Sequence, residues 1–312
     1  TFVILAFAQG TKKGKPPVAD PIPATPKLVI GIVIDQMRYD YVYRYWDKLG
    51  SEGFKRLLGQ GYQCKNTNYN YMPTYTGPGH ASIYTGATPA IHGIIANEWP
   101  ERETGKIVYC VEDKEVKGVG SDGVEGQRSP HRMLSTTVGT QLHIATNHGS
   151  KVFGIALKDR AAILPAGHTA NGSYWYDGAS GSFITSTYYS ETLPKWVVDF
   201  NNRKLPAQYL SQQWTTVLPV DQYTESLADN SPYEGVWKGE ALPVFPHDLP
   251  KLMETNGKLG MIRTTPFGNS FTRDFAQALI LGENLGKGKF TDFLAVSFSS
   301  PDYIGHMYGP QS

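Results

Sequence analysis

The stretch KLVIGIVID, residues 27 to 35, limits the fold more than any other part of the chain. A strand with one wet face alternates apolar and polar side chains, whereas this run is apolar from Leu28 to Ile34 apart from Gly31 and ends on an acid. Such a run predicts a strand of a parallel sheet with both faces covered. SKVFGIAL (150 to 157) and FLAVSFS (293 to 299) repeat the pattern. Between them lie helical stretches. SEGFKRLLGQG, 51 to 61, offers Ser51 as N-cap, sets Phe54, Leu57 and Leu58 on one face and stops at Gly59 and Gly61. SFTRDFAQALILGENLG, 270 to 286, is amphipathic. Strands alternating with helices predict an α/β fold with a doubly wound, mainly parallel sheet. From 170 to 260 the texture changes to SYWYDGASGSFITSTYY and LPKWVVDFNNRKLP, read as a hairpin and short helix within an aromatic-rich cap or insertion.

At 312 residues and 40% hydrophobic content the chain can bury a sizeable core. A formal net charge of +1 with 18% charged residues provides no basic stripe, so nucleic acid is not an expected partner. The start, TFVILAFAQG, carries an apolar run from Phe2 to Phe7 and a small-x-small pattern at Ala6-Phe7-Ala8. Residues 1–8 therefore read as a signal-peptide remnant and the Pro/Lys-rich residues 9–26 as a tether, which predicts an exported protein, periplasmic or secreted. A first β-strand is the other reading of the apolar run. No Cys stands just after the cleavage site, which argues against a lipoprotein anchor, and no stretch approaches the roughly 20 apolar residues of a membrane span. Cys64 and Cys110 are the only cysteines, and export permits a bond between them without requiring one.

In open α/β sheets, ligands collect beyond the carboxyl ends of the strands. Polar residues fall there in four places. Asp35 ends the first strand, as a ligand or as a helix N-cap. MPTYTGPGHASIYTG, 72 to 86, places Thr74 and Thr76 ahead of Gly77, Pro78 and Gly79, so that a helix starts near Thr76 and ends at Gly86. Free N–H groups at that start suit a phosphate, and Thr76 is either an N-cap or a hydroxyl that a metal could activate as a nucleophile. Lys158 and Arg160 follow SKVFGIAL, where an Arg fork beside a Lys point charge suits a phosphate dianion. Asp302 and His306, after FLAVSFSSP, are four apart and can face one cation from one helical turn, or form a plain surface pair. Asn97, in HGIIANEW, can donate its amide to an oxyanion or shape a turn.

Taken together, GIVIDQMRYDY, MPTYTGPGHASIYTG, IHGIIANEW, ALKDRAAILPAGH, TTPFGNS and SPDYIGHMYGP closely resemble the alkaline phosphatase superfamily, in particular its PafA-type, monoester-specific bacterial branch. The resemblance runs from about Lys27 to the last residue. It implies a sheet of the alkaline phosphatase type, two zinc ions, phosphate monoesters as substrates and a phosphothreonine intermediate on Thr76, with Thr74 a neighbour only. Asp35 and Thr76 would bind one zinc, Asp302 and His306 the other, while Asn97, Lys158 and Arg160 would hold the phosphoryl oxygens.

The family's site also takes an Asp-His pair and a later His from farther along the chain, and the sequence stops at GPQS before any of them, so the expectation is a fragment, inactive alone. Its sheet would lack later covering elements, leaving FLAVSFS as an exposed apolar edge. Two other functions compete. A phosphodiesterase or nucleotide pyrophosphatase of the same superfamily would share Asp35, Thr76 and Asn97, but Lys158 and Arg160 favour the more highly charged monoester. A phosphate- or glycan-binding module would keep the fold without turnover.

Overall fold

The computed structural model describes residues 25–312. The signal-peptide reading of 1–8 and nearly all of the 9–26 tether lie outside those residues. Six strands form the main sheet: β1 (Leu28–Ile34), β2 (Gly118–Val119), β3 (Val152–Ala156), β4 (Gly172–Asp177), β5 (Ser182–Ser186) and β6 (Asp292–Phe298). Their order across the sheet is β1-β6-β3-β4-β5-β2. The first four of these neighbours run parallel, and β5 and β2 add an antiparallel margin.

Four helices build the layers and the site: α1 (Thr76–Thr85), α2 (Asp159–Ala166), α3 (Phe267–Gly282) and α4 (Ser300–Tyr308). Strand pleating sends alternate side chains to opposite faces. On one face Phe153, Ile155 and Tyr174 pack against Phe271, Phe275 and Leu279 of α3. On the other, Ala156 and Trp175 meet Ala81 of α1 and Ala161 to Leu164 of α2. Helices on both faces of a mainly parallel sheet make the doubly wound α/β arrangement that the apolar runs predict. Gly154 lets α2 lie close, since a Cβ there would stand 2.2 Å from the Ala162 carbonyl oxygen.

Three local expectations change. The 172–186 hairpin is no separate cap: its first strand pairs in parallel with β3, so the main sheet runs on into the span read as an insertion. Burial on both faces holds for β6, which lies between β1 and β3, so FLAVSFS is interior rather than an exposed edge. Among the described residues β1 lies at one edge of the sheet, with Val29, Ile30 and Ile32 exposed. A continuous apolar run marks a strand but carries no information on its place in the sheet order. The helix expected over 51–61 starts at Phe54 behind Gly53, whose φ of +62° suits glycine, and Ser51 does not cap it.

Cys64 and Cys110 are both free thiols, Cys110 buried and Cys64 exposed. Among the described residues no helix is long and apolar enough to cross a membrane.

Candidate active site

The carboxyl ends of β1, β6 and β3 lie side by side, and each delivers a charged residue to one point. The Asp35 N–H bonds the Phe298 carbonyl at 3.0 Å, extending the β1–β6 ladder and fixing where the Asp35 side chain starts. Lys158 follows β3 and leads into α2, and Asp302 lies in the first turn of α4 after β6. The Lys158 ammonium is buried between the two carboxylates, 2.7 Å from Asp35 Oδ2 and in contact with Asp302 Oδ2. Burial pushes the Asp35 carboxyl up, but the Lys158 charge, helped by hydrogen bonds from Lys158 and Thr76, holds it below the usual carboxylate range.

Removing the ammonium would leave two buried carboxylates facing each other. Lys158→Ala is expected to destabilise the metal-free chain by about 3–5 kcal/mol at pH 7. The deficit should narrow toward about pH 4 as Asp35, no longer held down by the ammonium, takes up a proton. Urea unfolding with chelator at both pH values checks this, and a deficit independent of pH would contradict it.

Thr76 is the first residue of α1 rather than its N-cap, a place taken by Tyr75. Its hydroxyl donates to Asp35 Oδ2 at 3.2 Å and accepts from Lys158 Nζ at 3.3 Å, so it is drawn into the charged cluster. Thr74 lines the same cleft but is exposed. The expected cradle of free N–H groups is mostly used up: Gly77 N–H bonds Asn97 Oδ1 at 2.8 Å, Gly79 N–H bonds the Tyr75 carbonyl at 2.9 Å, and Pro78 has none. An anion in the cleft would therefore meet side chains more than backbone N–H groups. The Gly77 bond occupies the Asn97 oxygen and leaves its NH2 as the donating end in the cleft.

Arg160 lines the cleft together with Asn97, Asp302 and His306, in a volume of about 890 Å3. His306 is exposed at the mouth, its Nε2 3.5 Å from Asp302 Oδ1, so the i,i+4 pair faces one side as its spacing predicts. The 225–248 stretch clasps the far end of α4. Gly235 N–H bonds the Met307 carbonyl at 2.7 Å, Leu227 N–H bonds that of Gln311 at 2.9 Å, and Tyr308 Oη lies 3.4 Å from His247 Nε2. Part of the aromatic-rich span thus holds the helix that carries Asp302 and His306.

Two positioning side chains escaped the sequence reading. His80, one turn after Thr76 and 2% exposed, donates from Nδ1 to the Thr76 carbonyl at 2.8 Å and accepts at Nε2 from the Ser297 hydroxyl at 2.8 Å. Burial pulls its pKa below the ordinary histidine value, in keeping with a neutral ring. The i,i+4 spacing from Thr76 was visible, but the partner on β6 was not. Tyr109 is the second, touching Arg160 from a hairpin strand more than fifty positions away in the chain.

Two carboxylates, a hydroxyl and an imidazole are donor types that suit zinc. Their number falls short of a full shell: Asp35 with Thr76, and Asp302 with His306, supply two side chains each. Among the described residues no three or more His, Cys, Asp or Glu come together to hold a metal ion.

Residues 29–312 match the family described as type I phosphodiesterase / nucleotide pyrophosphatase. The chain belongs to that family. Among its relatives it is 53% identical over 300 residues to alkaline phosphatase PhoV of Synechococcus elongatus, covering 96% of this chain and 54% of PhoV. It is 53% identical over 289 residues to alkaline phosphatase PafA of Elizabethkingia meningoseptica, covering 92% of this chain and 53% of PafA. The crystal structure of wild-type PafA matches with a TM-score of 0.90 at 52% identity, over 94% of this chain and 56% of that one. A PafA variant solved with a Thr, an Asn, a Lys and an Arg replaced matches with the same TM-score of 0.90. The resemblance carried by the motifs is thereby borne out, and so is the α/β fold. The chain spans about half the length of the curated relatives it matches.

Proposed function

We propose that the full-length protein is an exported, zinc-dependent phosphate monoester hydrolase in which Thr76 is the nucleophile. The observation that carries this reading is the Thr76 hydroxyl, set between Asp35 and Lys158 in a cleft also lined by Asn97 and Arg160. The replaced residues of the PafA variant are the same four types in the same chain order as Thr76, Asn97, Lys158 and Arg160. Export rests on the reading of residues 1–26 and on nothing else.

Asp35 and Thr76 would contribute to one zinc, Asp302 and His306 to the other, with the remaining ligands supplied from outside the described residues. Bound zinc supplies Lewis acidity for the attacking and leaving oxygens. The chain's own residues do the rest. Arg160 and the Asn97 NH2 group grip nonbridging phosphoryl oxygens, and the Lys158 ammonium adds positive charge beside Thr76. The hydroxyl hydrogen of Thr76 points at Asp35 Oδ2 and one lone pair of Oγ meets Lys158 Nζ, which leaves the other lone pair for phosphorus. Oγ gives up its hydroxyl proton and attacks in line, the P–O ester bond breaks, and the leaving alkoxide takes up that proton to depart as the alcohol, giving phosphothreonine. Water then attacks phosphorus, Thr76 departs and regains a proton, and inorganic phosphate is released.

The alternative within the family, diester or pyrophosphate cleavage, is disfavoured by the cationic pair, because a monoester dianion gains more from two positive groups than a singly charged diester does. Zinc-loaded full-length protein is expected to hydrolyse an aryl phosphate monoester with a higher kcat/KM than the matching alkyl aryl diester, and to lose both activities on chelation. Preference for the diester would favour the alternative. Phosphate binding without turnover of either ester would indicate a binding module.

A further inference from the structure

Arg160 is the cation most open to a substrate, and its aim depends on one neighbour. The hairpin of Glu98–Pro100 and Ile107–Tyr109 follows directly on Asn97, and Cys110 N–H bonds the Asn97 carbonyl at 2.9 Å. It sets the Tyr109 ring beside two guanidinium groups, with Arg128 at 5.3 Å and Arg160 at 5.9 Å from its centroid. The Tyr109 hydroxyl accepts from Arg160 Nη1 at 2.9 Å and donates to Asp159 Oδ1 at 2.5 Å. Asp159 is itself held, its Oδ2 by Arg128 Nε at 2.8 Å and its Oδ1 by the Arg160 N–H at 2.7 Å.

No other side chain of the described residues fixes the Arg160 fork as closely. Its Nη1 lies 3.9 Å from Asp159 Oδ1, beyond hydrogen-bond reach, and its buried Nε has no partner. Burial and the adjacent Asp159 charge push the Tyr109 phenol far above its ordinary value, so it stays a neutral donor to Asp159. Tyr109 and Arg160 line both the main cleft and a second cavity of about 330 Å3. The guanidinium therefore has two spaces open to it, and the hydroxyl bond restrains it between them.

We infer that Tyr109 is a positioning residue for substrate recognition, its hydroxyl aiming the Arg160 fork at the phosphoryl group. This rests on the reading that Arg160 grips phosphoryl oxygens. Tyr109 touches no reacting atom and acts through Arg160 alone. An untethered fork would still carry its charge but would have to be ordered at each encounter, which weakens monoester binding more than diester binding.

The test is a double-mutant cycle in zinc-loaded full-length protein with Tyr109→Phe, Arg160→Ala and both together. Phe keeps the ring and its contacts with both cations, so only the hydroxyl is lost. Readouts are kcat/KM for an aryl monoester and an alkyl aryl diester, the inhibition constant of inorganic phosphate, and the melting temperature. Tyr109→Phe should lower monoester kcat/KM by about tenfold, the scale of one hydrogen bond to a charged group, and weaken phosphate inhibition by a similar factor. Diester turnover should stay within about twofold, and with Arg160 already Ala the same change should have less than about a twofold effect. A Tyr109 effect that persists undiminished without Arg160, or an inert or unfolded Tyr109→Phe protein, overturns the positioning role. An Arg160→Ala protein with wild-type monoester kcat/KM and wild-type phosphate inhibition would instead remove the reading of Arg160 on which it rests.

Discussion

In zinc-loaded full-length protein, Thr76→Ala is expected to lower kcat/KM for an aryl phosphate monoester by on the order of a thousandfold or more, the scale of losing a nucleophile. Thr74→Ala should keep most of the activity. The two threonines share a cleft but not an environment. Thr76 is buried with its hydroxyl bonded to Asp35 and Lys158, and its backbone is fixed by the His80 bond to its carbonyl. Thr74 is exposed and its hydroxyl meets neither charged group. Thr76→Ser, which keeps an oxygen at the same place, should retain far more activity than the Ala variant. Equal losses at both positions would mean that the cleft, and not one hydroxyl, had been damaged.

Replacing Lys158 and Arg160 together by Ala is expected to reduce monoester kcat/KM by about 2–5 kcal/mol in transition-state free energy, the range for truncating buried charge-pair contacts. Diester hydrolysis should suffer much less, because a substrate with one charge fewer has less to lose. The two residues should not contribute alike. Lys158 neutralises Asp35 and Asp302, so its loss also disturbs the carboxylates that would hold metal. Arg160 is tied to Tyr109 and open to the cleft, so its single variant should report on the substrate more cleanly. A comparable fall for both ester classes would make the pair structural. Steady-state kinetics with matched monoester and diester leaving groups decides this.

The convergence of Asp35, Thr76, Lys158 and Asp302 was legible because each follows an apolar strand or begins a helix, and a doubly wound sheet brings such positions to one edge. Local patterning, however, is silent on the order of the strands. It marked KLVIGIVID and FLAVSFS equally, and only the pairing of β6 between β1 and β3 shows that the first is the edge and the second interior. The hairpin at 172–186 looked like decoration because its turn and aromatics are local, while its parallel pairing with β3 is not. Helix-start chemistry pointed to Thr76 but overstated the free amides, since Asn97 reaches across to Gly77. Tyr109 and Arg128 gave no signal at all, as nothing in their spacing shows that they meet Asp159 and Arg160.

The central claim is that Thr76 itself takes up the phosphoryl group. Full-length protein turning over a radiolabelled aryl phosphate monoester would be quenched in acid, digested, and the labelled peptide sequenced. Label is expected on Thr76 in wild-type protein and absent from Thr76→Ala. Label recovered on another residue, or full turnover by Thr76→Ala, would contradict the account.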